Sequence, residues 1–414
     1  MRSSSQINIF SLSASTLIAL VLVLGIGSNY FYGITRLGMV DDLILGFAYI
    51  ASAIALLIKP ASVLRYRFIV LAFAVFFFVG IAFLFNNPTS YLYETYKLTI
   101  FLSFIPLLSV LSSNIVARLD HKLVTFGAVL FGVNLIIIGL QYAVTPSVVV
   151  YLGLPASQIT ESQTAGRWVG LFAGVNNFGD AAVLMLLANE ALQPRNYKVA
   201  RYIFGVSVLL STSKHAILIM LVVLFYLHVM KKGLGLKTIK TLIGVLMVAT
   251  IGIFLNIDTL TSKTAQYTYL VQNVTDVTNR DADKVEFRAL HIASGVSILL
   301  DNPLGVGLGV WGDASSKFRV GKSDIPKLEM SDSWMIHILV EQGVYSLFYF
   351  FLFMSGFCYA KRLGNSAAFI SLAIFFFLSS LVTMGLSSGS WPILFAYLYA
   401  RFATHPISVL SDRR

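Results

Sequence analysis

Twelve apolar stretches run along the chain, at about 9–27, 40–58, 68–85, 97–116, 124–144, 168–190, 199–213, 215–230, 239–256, 334–360, 366–385 and 388–404. Most approach the ~20 continuous residues that a helix needs to cross a bilayer, and none alternates over ~10 residues as a barrel strand does. The pattern predicts an all-α polytopic membrane protein with about 12 transmembrane helices. It places helices 1–9 in residues 1–256, one long helical extracytoplasmic loop in 257–333 and helices 10–12 in 334–414, as one membrane domain overall. The pair 199–213 and 215–230 is too short for two full spans. A single span there would invert everything downstream, so the pattern favours a helical hairpin. Its turn would be Ser211-Thr212-Ser213-Lys214-His215. Polar backbone at membrane depth must line a protein-walled cavity, so the hairpin predicts a cavity holding Lys214.

Composition narrows the class. The chain is 57% hydrophobic and 12% charged, whereas a soluble domain is about a quarter charged. This excludes a soluble enzyme or a disordered tail. The net charge of +11 alone would suggest nucleic acid. Its distribution suggests topology instead. One alternating set of loops and both ends hold 18 of the 30 basic residues, and the short loops of the other set hold Arg36, Lys97, Arg167 and Lys214. By the positive-inside rule both termini face the cytoplasm and the 257–333 loop lies outside, with no nucleic-acid partner expected. The single cysteine, Cys358, excludes a disulfide framework or a Cys-rich metal site. No A-x-A-like cleavage site follows the first apolar stretch, so it reads as an uncleaved span.

Ionisable groups at membrane depth are costly, which makes each a functional candidate. Three clusters fall on the predicted outer side. In the first, Arg167 opens the sixth span, and Asn176, Asn177 and Asp180 follow two to four turns deeper, with Asn176 and Asp180 on one face. An interfacial arginine above interhelical polar contacts is the plainer reading of this set. The second is Lys214 in the hairpin turn, which could also snorkel to the interface. The third lies in the long loop. Asp283 and Glu286 have capping-box spacing, and a helix over about 284–300 would stop at Asp301-Asn302-Pro303. Lys284, Arg288, His291 and Gly295 form one polar, cationic stripe on it, fit either for an anion or for solvent. Pro303-Leu304-Gly305-Val306-Gly307-Leu308-Gly309 is superficially like a nucleotide loop, but no βαβ unit surrounds it. Asp332 stands where the tenth span begins, either as a helix N-cap or as a base. The six histidines are scattered; His291, His215 and His337 are those within reach of the outer side. No metal site, Walker motif or other cofactor signature is present in the sequence.

The ordered set of motifs over 166–345 resembles the superfamily of Wzy-type O-antigen polymerases and O-antigen ligases, with related exopolysaccharide polymerases. Arg167-Trp168-Val169-Gly170-Leu171-Phe172 through Asn176-Asn177 resembles its Arg-x-x-Gly-Leu-Phe…Pro-Asn stretch. Ser211-Thr212-Ser213-Lys214 resembles its Thr-x-Ser-Arg, with Lys in place of Arg. Arg288 followed by 301–309 matches most closely. Asp332-Ser333-Trp334-Met335 through Glu341-Gln342-Gly343 resembles its His-Asn-x-x-Leu…Glu-x-Gly stretch. The ligases carry His where this chain has Asp332, which favours a polymerase or moves the base to a carboxylate. Lys214 keeps the charge of the family's arginine but not its two-pronged hold on phosphate.

The resemblance implies a GT-C-like enzyme in the bacterial inner membrane. It would join undecaprenyl-pyrophosphate-linked oligosaccharide repeats into O-antigen, capsule or exopolysaccharide at the periplasmic face, without metal and with inversion. A chain-length regulator, a flippase and membrane lipid are the partners it implies. Arg167, Lys214 and Arg288 are then the pyrophosphate-binding cations. Asp332 is the first choice for the base that takes the acceptor proton, Glu286 the second and Asp180 the third. Asn177, Asp180 and His291 complete the expected substrate contacts. The alternatives are ligation of a finished glycan, or a lipid-linked oligosaccharide transporter or flippase. A major-facilitator transporter fits poorly, because the loop from Lys59 to Arg67 contains neither acid nor glycine.

Overall fold

The computed structural model describes residues 15–23, 40–66, 103–144, 147–151, 170–172, 174–193, 197–232, 295–307, 311, 333–382 and 391–407. The apolar stretches 68–85 and 239–256, and most of the 257–333 loop, lie outside these residues. The described residues are helical, with no strand among them. Residues 15–23 fall in the first expected span. The elements that follow are α1 (Val40–Ile58), α2 (Pro60–Leu64), α3 (Ile105–Val110), α4 (Ser113–Ala143), α5 (Val148–Tyr151), α6 (Val175–Leu192), α7 (Tyr197–Leu210) and α8 (Lys214–Lys232). After residues 295–301, which are helical, come α9 (Trp334–Gln342), α10 (Leu347–Arg362), α11 (Ser366–Val382) and α12 (Pro392–Thr404).

Two helical runs are long and apolar enough to cross a membrane among the described residues, Ser113–Ala143 and Trp334–Arg362. Only 39% of the most apolar part of the first is buried. Val129, Val133, Ile136 and Leu140 stand exposed along it. A soluble core helix would hide such a face, whereas lipid is a suitable solvent for it.

Several expected boundaries move. The stretch 97–116 is interrupted: α3 ends at Val110, Leu111 is extended, and α4 starts at Ser113, well before the expected 124. The Ser112 carbonyl accepts the amides of Ile115 and Val116 and so starts the new helix. Arg118, Asp120, His121 and Lys122 therefore lie on a helix, not in a loop. At 31 residues α4 is roughly 46 Å long, longer than the ~30 Å apolar core of a bilayer. Its charged first turns have room to emerge. The expected span 334–360 is present as the run Trp334–Arg362, which passes through a 3-10 turn at Gly343–Ser346.

The chain divides into two compact units, one of residues 1–15, 42–119 and 283–414, the other of 16–41 and 120–282. The first is built round α12. Every one of its 13 residues is buried, with α3, α10 and α11 packed on it. Phe353, Phe369, Phe375, Phe376, Trp391 and Phe395 interlock with ring centroids 4.7–6.5 Å apart. Gly356 lets α10 come close to Tyr399, whose hydroxyl donates to the Leu352 carbonyl at 2.7 Å. The end of α12 is held by Asn365. Its amide donates to the carbonyls of Phe402 and His405 at 2.8 and 2.7 Å, and its oxygen accepts the Ile407 amide at 3.0 Å. Arg401, also buried, donates to the His405 carbonyl at 2.7 Å. The Asn365 side chain thus satisfies one carbonyl in the last turn of α12 and two backbone groups just past its end.

The glycine-rich segment after the 295–301 helix is clamped to the end of α9. The helix stops at Asp301, as its Asp-Asn-Pro sequence predicts. The amides of Val306 and Gly307 then donate to the carbonyls of Val340 and Glu341, both at 3.0 Å. The Val344 amide returns a bond to the Pro303 carbonyl at 3.0 Å. The loop is therefore a cap for a helix C-terminus. Gly305 (φ +87°) and Gly343 (φ +54°) face each other so closely that a Cβ on either would lie 2.2–2.3 Å from a backbone oxygen. Gly343→Ala meets both the left-handed backbone and that clash, so it should destabilise the protein by more than about 1 kcal/mol. A thermal melt in detergent checks this; a surface change such as Met230→Ala is the matched control.

Candidate functional site

The second unit contains the polar site. It starts with two amides that leave helical geometry. Residues 170–172 form a turn, with Gly170 at φ +60°, and helix α6 begins only at Val175. The Gly170 amide donates to Gln141 Oε1 at 3.0 Å, and the Leu171 amide donates to Asn134 Oδ1 at 2.6 Å. Both acceptors lie on α4. Their capture of these amides explains why the expected span from 168 starts late. Asn176 and Asn177 accordingly lie on the first turn of α6 and Asp180 on the second, not two to four turns deep.

Behind this turn lies a knot of buried rings. Phe131 meets Phe172, Phe178 and Phe204 at centroid distances of 5.3, 6.0 and 5.5 Å. Phe172 meets Phe178 at 5.1 Å. Such pairs contribute about 0.5–1.5 kcal/mol each beyond their buried area. They hold the start of α6 against α4 and α7.

The break expected between 199 and 230 is present. Helix α7 ends at Leu210, residues 211–213 form a tight turn, and α8 starts at Lys214. Lys214 and His215 thus belong to the first turn of α8, not to the loop. Both helices pack on α6. Ser211, Thr212 and Ser213 are all buried. Thr212 takes φ +53°, which is uncommon for a β-branched residue. Its hydroxyl donates to the Ser211 carbonyl at 2.7 Å. Gly179 permits the approach: a Cβ there would fall 2.7 Å from that of Ala216 and 2.9 Å from Ser211 Oγ.

A chain of hydrogen bonds crosses this contact. Ser213 Oγ lies 2.9 Å from His215 Nδ1, and His215 Nε2 lies 2.9 Å from Asp180 Oδ1. Ser213 Oγ is also 3.2 Å from Asn176 Oδ1, to which it can donate. Asp180 is 1% exposed and Ser213 3%. The His215 side chain keeps 11% of its surface. Asn176 and Asp180, on successive turns of α6, thus share the face that meets Ser213 and His215. Asn177 is half-buried beside them and is not a member of the chain of bonds. Lys214, next in sequence to Ser213, is exposed at the start of α8.

Of the expected site residues, the structure places Lys214 beside Asp180's hydrogen-bonded partners. Arg167, Glu286, Arg288, His291 and Asp332 lie outside the described residues. The N-cap of α9 is Ser333, not Asp332: the Ser333 hydroxyl accepts the Ile336 amide at 3.4 Å and donates to the Ser380 carbonyl at 3.1 Å. In the first unit, Glu341 and His337 are fully buried. Glu341 Oε1 accepts the Trp311 amide at 3.0 Å, its Oε2 lies 3.4 Å from His337 Nε2, and the Trp311 and His337 rings stack 6.1 Å apart. No group of three His, Cys, Asp or Glu side chains is placed to hold a metal ion among the described residues. Ser213 and His215 were both visible in the polar run Ser211–His215, and His215 among the histidines within reach of the outer side, but sequence alone assigns neither a role because nothing local links them to Asp180.

Comparison of the chain with protein-family models and with curated proteins finds no match. Gly179→Val should push α6 away from the 211–213 turn. Overpacking of this kind costs about 1–3 kcal/mol, so a melting temperature several degrees below that of Gly132→Ala, where a Cβ meets open space, is the expected result.

Proposed function

We propose that this protein is a membrane glycosyltransferase that extends polyprenyl-pyrophosphate-linked oligosaccharides, that is, a polysaccharide polymerase. The reading takes the chain as a GT-C-like bundle of about 12 spans in a bacterial inner membrane, with both termini cytoplasmic and its site on the outer face. The resemblance over 166–345 supports it, and so does the long, partly exposed apolar helix α4. The observation that carries it is the arrangement at the 211–213 break. An exposed cation, Lys214, stands at a helix N-terminus directly beside a buried Asp–His–Ser chain.

The chemistry follows from those groups. A departing pyrophosphate gains negative charge as its bond to the sugar breaks. Lys214, with the positive end of the α8 dipole behind it, would stabilise that charge. Arg167 and Arg288 are proposed to add two-pronged contacts to phosphate oxygens. An acceptor hydroxyl attacking opposite the leaving group would invert the anomeric centre, and its proton needs a base. Asp332 and Glu286 are the candidates that the sequence offers for this role, and both lie outside the described residues. Asp180 is less suited to direct contact, since its carboxylate is engaged by His215.

A second reading has one observation in its favour. A buried Asp–His pair at a broken helix also suits a proton-coupled transporter of lipid-linked oligosaccharides. One assay separates the two. Purified protein is given lipid-linked repeat units with neither nucleotide nor added metal, and the products are resolved by size. A ladder is the expected result, with Arg288→Ala abolishing it. Lys214→Ala should lower turnover at least about tenfold, the order of a lost charge-assisted contact, while Lys214→Arg should retain it. Unchanged substrate with folded wild-type protein, together with flipping in reconstituted vesicles, would establish transport instead.

A further inference from the structure

We infer that His215 is the proton acceptor of this site, held by Asp180 and reached through Ser213. The inference rests on the glycosyl-transfer reading and assigns the base within it. Three distances carry it. His215 Nε2 is 2.9 Å from a carboxylate oxygen that is almost wholly buried. A carboxylate so placed accepts the Nε2 proton, which leaves Nδ1 as the basic nitrogen. Nδ1 is 2.9 Å from Ser213 Oγ, and that hydroxyl, with one proton to give, has a weaker alternative acceptor in Asn176 Oδ1 at 3.2 Å. With the proton on Nε2 and the serine hydroxyl turned to Nδ1, the three groups form a directed chain, hydroxyl to imidazole to carboxylate. The order of roles is that of nucleophile–base–orienter sites, although here the serine meets Nδ1 and the acid meets Nε2.

The step balances. The acceptor sugar oxygen forms a bond to the anomeric carbon, and the bond from that carbon to the pyrophosphate oxygen breaks, its electron pair leaving on the pyrophosphate. The acceptor proton passes to Ser213 Oγ as the serine proton passes to His215 Nδ1. The resulting imidazolium is stabilised by Asp180. Afterwards the proton returns through the serine to solvent or to the pyrophosphate. Lys214 follows Ser213 in the chain, so the proton path and the leaving-group cation are offered by neighbouring residues. Asp180 is a positioning residue in this scheme, and Ser213 and His215 are catalytic.

The test uses the full-length protein in lipid nanodiscs with lipid-linked repeat units. His215→Gln keeps hydrogen-bonding capacity but has no basic nitrogen. It should lower kcat by roughly a hundredfold or more, the usual range for a general base, with KM for the lipid-linked donor changed less than twofold. Ser213→Ala should do the same, and Ser213→Thr, which restores the hydroxyl, should recover most of the rate. If His215→Gln fails to fold, the Ala and Thr variants at Ser213 decide the matter. Nitrogen-15 NMR of labelled histidine should show the Nε2–H tautomer in wild type and its loss in Asp180→Asn. Retention of more than half the wild-type kcat by folded His215→Gln or by Ser213→Ala overturns the relay and leaves the polymerase reading standing. Absence of any product from wild type overturns the polymerase reading, and the relay with it, whatever the NMR tautomer.

Discussion

A backbone amide or carbonyl that leaves a helix inside an apolar surrounding must find another partner, and the described structure is organised by that requirement. Water is the usual partner in a soluble protein; in hydrocarbon the protein itself must supply one. Each interruption here has its own supplier. Asn134 and Gln141 take the amides of Leu171 and Gly170. Glu341 takes the amide of Trp311. Asn365 takes two carbonyls and one amide at the end of α12. The residues 303–307 take the carbonyls at the end of α9. An unmet buried group costs about 1–3 kcal/mol, so these polar side chains set where helices stop and thereby where candidate functional residues stand.

The helical class and most helix cores were legible from hydrophobicity alone. The stretch 40–58 coincides with α1, the break near 211–213 was expected from length, and the stop at Asp301-Asn302-Pro303 follows from proline chemistry. What hydropathy missed was set by partners distant in sequence. The late start of α6 depends on side chains 29 and 37 residues away. The early start of α4 was hidden because its first turns are charged, and charge reads as loop whether or not the backbone is helical. The 3-10 turn at Gly343–Ser346 depends on Gly305 opposite it. None of these leaves a local signature.

The site was legible in its positions rather than its roles. Asp180 was expected as a substrate contact and a third choice for the base. Its carboxylate lies buried against His215, which suits the orienting role proposed for it. Lys214 was expected inside a recessed turn and stands exposed at the head of a helix. The glycine run 305–309 invited comparison with phosphate-binding loops, yet its described glycines, Gly305 and Gly307, serve close packing and helix capping. Residue type proposes a chemistry, while burial and neighbours decide which part of it a residue performs.

Thr212 shows what the site gives up. A left-handed backbone costs an ordinary L-residue about 1–2 kcal/mol, and a glycine would relieve it. Glycine, however, would also free the turn to sample many shapes. A branched side chain in that conformation makes the break stiff, with its hydroxyl tied to the Ser211 carbonyl. The turn is thus built less like a joint than like a bracket, so a change in the angle between α7 and α8 has to pivot somewhere else.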